Sequence, residues 1–184
     1  MSLDIPLLEA LEKLGAELER SRVPYALIGG LAAVRHGVVR TTLDIDILLA
    51  APRVTLPGLL DRLQAAGFTV DRDRTIRELT TGRMSRIAYR GVPVDLLEPV
   101  LPVFADTLRR ASRMAGGLAG IRLATAEDVI VHKLIAFRER DREDIRRIHQ
   151  VQGETLDLEY VRRQWLTIGD SSDDRIAFLE RLGS

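Results

Sequence analysis

No cysteine occurs in the 184 residues, which excludes both a disulfide framework and a thiolate metal site. No apolar run approaches the ~18 residues that a membrane span requires. The first residues, Met1-Ser-Leu-Asp-Ile-Pro6, lack the basic and apolar regions of a secretory signal. A cytoplasmic protein with no membrane partner is the expectation. The three histidines, His36, His132 and His149, share no H-x-x-x-H spacing, which argues against zinc. Formal net charge is zero, so no global field draws the chain towards nucleic acid. Lysine is nearly missing too: of 27 basic residues, only Lys13 and Lys133 are lysines. A lysine kept in so arginine-rich a background is a candidate for work that needs a compact ammonium of adjustable pKa. Lys13, on the polar face of an N-terminal helix, needs no such explanation. Lys133 has more telling surroundings.

What is present describes an ordinary globular chain, 46% hydrophobic and 29% charged, near the length of one domain with a helical extension. Leu7, Leu11, Leu14 and Leu18 recur at helical spacing and predict an amphipathic helix over about 4–21. Pro24 opens a strand that runs into Gly29-Gly30. A short helix over 31–35 follows, closed by His36-Gly37. Strands are predicted at 43–49, 68–70, 84–90 and 92–97, the last two forming a hairpin about Gly91. Helices are predicted at 56–67 and 101–114, with Gly116-Gly117 as a hinge. Thr125-Ala-Glu-Asp128 has the form of a capping box opening a helix through Phe137; further helices fall at about 142–151, 157–167 and 173–181. Arg72, Arg74, Arg77, Arg83, Arg86 and Arg90 outnumber Asp71, Asp73 and Glu78 in one stretch, which reads as a solvated hairpin in preference to an RNA track. The fold class is α/β (α+β): a small mixed sheet flanked by helices over 1–115, then a helical part over 116–184.

Three aspartates interrupt apolar strands: Asp44 and Asp46 in Leu43-Asp-Ile-Asp-Ile-Leu-Leu49, and Asp95 in Val92-Pro-Val-Asp-Leu-Leu97. Carboxylates in such strands are costly to bury unless paired or bound to a cation. Asp44 and Asp46, two apart on a strand, point to one face and are roughly 6.6 Å apart along the backbone. With a third carboxylate from a neighbouring strand they could hold two divalent ions about 3.5–4 Å apart for in-line phosphoryl chemistry. A D-x-D alone also occurs in loops and at wet strand edges; the apolar flanks, the preceding Gly-Gly turn and the third in-strand aspartate favour a metal site. Glycines between strand and helix let the backbone approach a ligand, and amides at a helix start attract phosphate.

The order of apolar strand, Gly29-Gly30, His36-Gly37, Arg40-Thr41-Thr42, Asp44-Ile45-Asp46 and Val94-Asp95-Leu96 resembles the nucleotidyltransferase superfamily with the polymerase-β-like core. It is most similar to small bacterial AbiEii-type and toxin–antitoxin nucleotidyltransferases over about 23–98 and, less fully, 124–148. The resemblance implies that Asp44, Asp46 and Asp95 ligate magnesium (or manganese), with Asp95 also helping to deprotonate the nucleophile. It implies that Gly29 and Gly30 cradle the nucleotide phosphates. Arg40 is either close to the same phosphates or a surface arginine in a loop. The usual Gly-Ser turn is Gly-Gly here, so backbone amides must replace the serine hydroxyl. A lysine on the later helix with an aspartate after it lines the site in such toxins. Here that makes Lys133 a phosphate-binding catalytic residue, and Asp141 and Asp144 the candidates after it. Asp141 reads as a solvated helix start; Asp144, beside Ile145 and Ile148, reads equally as solvated or as nucleotide-binding. His36 reads as shaping the loop before the aspartate pair.

The implied activity is metal-dependent transfer of an NMP from an NTP, ATP among them, to a hydroxyl on RNA such as tRNA, on a protein or on a small alcohol. The alternatives are a non-catalytic nucleotide- or partner-binding module that keeps the fold, and a toxin whose antitoxin-facing helices matter more than its site.

Overall fold

Alternation along the strands decides the whole layout. In β1 (Tyr25–Ile28), Tyr25 and Leu27 face one way and Ala26 and Ile28 the other. In β2 (Ile45–Leu49), Ile45, Ile47 and Leu49 oppose Asp46 and Leu48. The computed structural model describes residues 5–113 and 120–183. Within them the strands form one six-stranded mixed sheet, in the order β3-β4-β2-β1-β6-β5, with β3 (Met84–Tyr89), β4 (Val92–Leu97), β5 (Ser112–Arg113) and β6 (Arg122–Leu123). β1 runs antiparallel to β2 and parallel to β6; β4 runs parallel to β2 and antiparallel to β3.

The first face packs on α1 (Ile5–Ser21) through Leu7, Leu11, Leu14 and Leu18, and on α3 (Leu56–Ala65) through Leu56, Leu59, Leu60 and Leu63. The second face carries Ala26, Ile28 and Leu48. It is covered by α2 (Gly29–Arg35), α5 (Pro102–Arg110), α6 (Ala126–Ala136), α7 (Glu139–Gln152), α8 (Leu158–Trp165) and α9 (Asp174–Gly183). Among the described residues no helix is long and apolar enough to cross a membrane.

Most predicted elements stand where periodicity put them; the exceptions have local causes. Residues 72–80 are a helix, α4 (Arg72–Thr80), and not part of a hairpin. Asp71 caps it by accepting from the Arg74 amide, and only Thr75 and Leu79 are buried, too few for a legible apolar stripe. Phe68–Val70 is no strand; it makes a single bridge, Thr69 to Ala88. The helix expected over 101–114 stops at Arg110, and β5 follows. The helix expected from about 142 begins at Glu139. Gly116-Gly117, read as a hinge, and the 115/116 boundary lie outside the described residues.

Candidate active site

β2 starts at Ile45, so Asp44 is an exposed residue just ahead of the strand, whereas Asp46 is half-buried within it. The parallel register sets Asp46 directly beside Asp95 of β4. Both side chains therefore emerge on the sheet face that α6 covers. Glycine is required at the end of β1. Gly29 has φ +65°, and a Cβ there would lie 1.9 Å from Asp46 Oδ2. The Gly30 amide donates to that oxygen at 3.3 Å, and a Cβ on Gly30 would lie 2.8 Å from Arg40 and from Thr42. The Gly-Gly turn thus fits its backbone against the aspartate and the loop before β2.

On the far wall, α6 is clamped at its start. Thr125 caps it by accepting from the Asp128 amide. The Asp128 carboxylate accepts from Arg110 of α5 at 3.1 Å and from the Tyr160 hydroxyl of α8 at 2.7 Å. This anchorage places Lys133, only 8% exposed in its side chain, with Nζ 3.0 Å from Asp141 Oδ1 and 2.6 Å from Asp144 Oδ2. Asp141 is buried, unlike the solvated residue that its sequence surroundings suggest. It is the third residue of α7, and its other oxygen accepts from the Arg138 amide and guanidinium. Arg40 reaches Asp144 at 3.4 Å, which ties the loop before β2 to α7; it is no free surface arginine. Arg40, Lys133 and Arg138 thus surround Asp141 and Asp144 with positive charge.

Gly29, Gly30, Arg40, Asp44, Asp46, Asp95 and Lys133 all line one cleft of about 420 Å³. Asp144 does not line it and stands behind Lys133. Asp141, Thr42, Arg138, Arg140 and His132 line it as well. For Asp141 a signal existed: an acidic residue at the third position of a helix can close a capping box. The others are brought in by tertiary packing. The His132 ring lies 4.8 Å from that of Phe104, its Nε2 is 3.0 Å from the Thr107 hydroxyl, and burial pushes its pKa down to about 4. His36 bridges to the Ala124 carbonyl at 2.8 Å, fastening the loop after α2 to the chain entering α6.

Burial, and then the negative charges of Asp95 and Asp44, raise the Asp46 carboxyl above its usual range. The Gly30 amide and the Lys133 ammonium pull the other way but do not prevail. Burial works against ionisation of Asp141 too, yet Arg138 and Lys133 outweigh it and hold that carboxyl below the usual range. The sheet carboxylates form an all-oxygen donor set, which suits a hard cation such as Mg2+ or Mn2+, and a dication would relieve the repulsion that Asp46 feels. Among the described residues no three acidic or histidine side chains converge into a ready-made cage; both oxygens of Asp95 are engaged by Arg86.

In overall fold the chain is similar to ANT(2")-Ia in its complex with adenylyl-2"-tobramycin, at 16% identity over 95% of this chain and 97% of that one, TM-score 0.57. It is similar to JHP933 from Helicobacter pylori, at 18% identity over 99% and 90% of the two chains, TM-score 0.54. An antigenic nucleotidyltransferase-like protein from Paracoccidioides brasiliensis shares 15% identity over 97% and 94%, TM-score 0.50. At these identities the likeness is one of fold. No curated protein matches the chain. Residues 7–182, nearly its whole length, match the family described as "Nucleotidyl transferase of unknown function (DUF2204)", and the chain belongs to that family of nucleotidyl transferases.

Proposed function

We propose that the cleft transfers a nucleoside monophosphate from an NTP to a hydroxyl acceptor with release of pyrophosphate. The observation that carries this reading is the pair Asp46 and Asp95, side by side on parallel strands and sharing one cleft with the buried Lys133 and the Gly29-Gly30 turn. Asp44, Asp46 and Asp95 would hold magnesium or manganese. Such a cation, when bound, supplies charge neutralisation at the phosphates and a more acidic acceptor hydroxyl. Gly29 and Gly30 leave room for phosphate oxygens at the backbone. Lys133 adds positive charge on the opposite wall, and Arg40 adds it beside the glycine turn. The acceptor oxygen attacks the α-phosphorus, the bond from that phosphorus to the bridging oxygen breaks, and pyrophosphate leaves with that oxygen. The hydroxyl proton passes to an oxygen of Asp95. Catalysis of this kind rests on positioning and charge.

The N-terminal sheet and the helices after residue 116 act as two parts of one site in this reading, the second supplying Lys133. A toxin role with a cognate antitoxin rests on the sequence resemblance to AbiEii-type proteins. Incubation with each α-labelled NTP, magnesium, and total RNA, lysate protein or an aminoglycoside-like alcohol should move label to one acceptor class. Nucleotide binding by calorimetry without consumption of any NTP would favour the non-catalytic module instead.

A further inference from the structure

Arg86 stands on β3 opposite Asp95 of β4, and its guanidinium grips both carboxylate oxygens, Nε to Oδ1 at 2.6 Å and Nη2 to Oδ2 at 2.7 Å. The register continues the line: Asp95 lies beside Asp46, and Asp46 beside Ile28, the residue before the glycine turn. Residues opposite one another share a face of the sheet. One arginine therefore heads a row of two in-strand carboxylates, with Asp44 just ahead of the strand. The two partners differ sharply in exposure: the Asp95 side chain is 7% exposed and that of Arg86 is 53%. Asp95 is fixed between β3 and β2, whereas Arg86 can swing into water without disturbing either core face. A two-pronged pair of this geometry is the strong kind; water compensates the half-exposed guanidinium when it leaves, and the buried carboxylate then needs another cation in its place.

We infer that Arg86 is the built-in counter-cation of the carboxylate row, holding both oxygens of Asp95 until an arriving divalent cation displaces it. The inference rests on the proposed function in expecting a cation at this row. It goes further in giving the chain a residue that opposes cation loading. The pairing also occupies the oxygens that the acceptor proton needs, so Asp95 is released as a base only when the row is loaded.

The test is Mn2+ affinity of the nucleotide-free protein, read from the electron paramagnetic resonance of free Mn2+. Arg86→Gln should bind about tenfold more tightly than wild type, the order expected for losing a charge-assisted pair half open to water. Arg86→Lys should fall between them, because an ammonium keeps the charge without spanning both oxygens. Arg83→Gln, an equal change of net charge at an exposed position beside β3, should leave the affinity at the wild-type value. An Arg86→Gln affinity equal to or weaker than wild type overturns the inference, as does equal tightening in Arg83→Gln. A second readout needs no variant: the Arg86 Nε–Hε resonance should exchange slowly with water without metal and quickly at saturating Mg2+, and an unchanged resonance overturns the inference. NTP consumption is measured separately. Turnover with unaltered Mn2+ affinities removes this inference alone, whereas tightening without turnover keeps it and removes the transferase reading.

Discussion

Two side chains carry the sharpest expectations at the residue scale. Asp46 has its carboxyl pKa raised by burial and by neighbouring carboxylates. A group raised in the folded state stabilises below its unfolded pKa and loses that contribution as pH rises through the folded value. The charged form of Asp46 therefore works against folding, and more so as pH rises. Asp46→Asn should melt higher than wild type at pH 7, with the advantage vanishing as pH falls into the range where free carboxyls titrate. Its transfer activity should fall by ~10²-fold or more. Melting curves across pH and label incorporation check the two halves, and an active Asp46→Asn removes the metal-ligand assignment. Lys133 is buried against two carboxylates, so Lys133→Ala should cost about 3 kcal/mol by leaving them under-compensated, measured by denaturant unfolding. Lys133→Arg keeps a charge for them but spreads its donors over a planar fork. It should fold and still lose roughly 10²-fold in transfer. Full activity in Lys133→Arg at limiting NTP would refute a phosphate-facing role.

The Gly29-Gly30 turn is the element on which the site depends. Gly29 must satisfy both φ +65° and the approach of Asp46 Oδ2, 1.9 Å from where a Cβ would stand. A substitution therefore meets a backbone penalty and a clash that pushes the Asp46 carboxylate aside. Gly91, with φ +84° and nothing within 4 Å of a built Cβ, isolates the backbone part. Gly91→Ala should cost about 1 kcal/mol and leave transfer intact. Gly29→Ala should cost at least about twice that and abolish transfer. Equal stability losses, with transfer retained in both, would mean that the Asp46 carboxylate does not need the glycine.

On the scale of the whole molecule, the second sheet face ties the two parts of the chain together. Ala26, Ile28 and Leu48 pack with Val129, Ile130 and Leu134 of α6 and Ile145 and Ile148 of α7, and β6 pairs with β1. A fragment of residues 1–113 would expose that face. It should show no cooperative melt and should bind a hydrophobic dye, as a chain with secondary structure but no fixed packing does. A sharp transition near that of the full chain would make 1–113 an independent domain.

How far the sequence reaches follows from the range of the forces involved. Strand alternation, helical leucine spacing, the Thr125–Asp128 cap and the glycine turn depend on neighbours within a few residues. They mark β1 to β4, most helices, and the in-strand placing of Asp46 and Asp95; the register that sets the two side by side is tertiary. The apolar flanks of the aspartates already implied a shared buried face. The helix α4 escaped because its buried stripe is two residues long, although Asp71 signalled its start. β5 and β6, two residues each, are strands only because the sheet edge beside β1 pairs them. The fate of each charge was likewise decided by packing. Asp141 looks like any acid in an arginine-rich helix start until α6 brings Lys133 against it. Arg86 looks like one of six surface arginines until the hairpin register sets it over Asp95. Pattern along the chain specifies which face a side chain takes, but a charge is governed by whichever opposite charge the fold brings within about 3 Å, and with 27 bases and 27 acids only the tertiary structure selects the pairs.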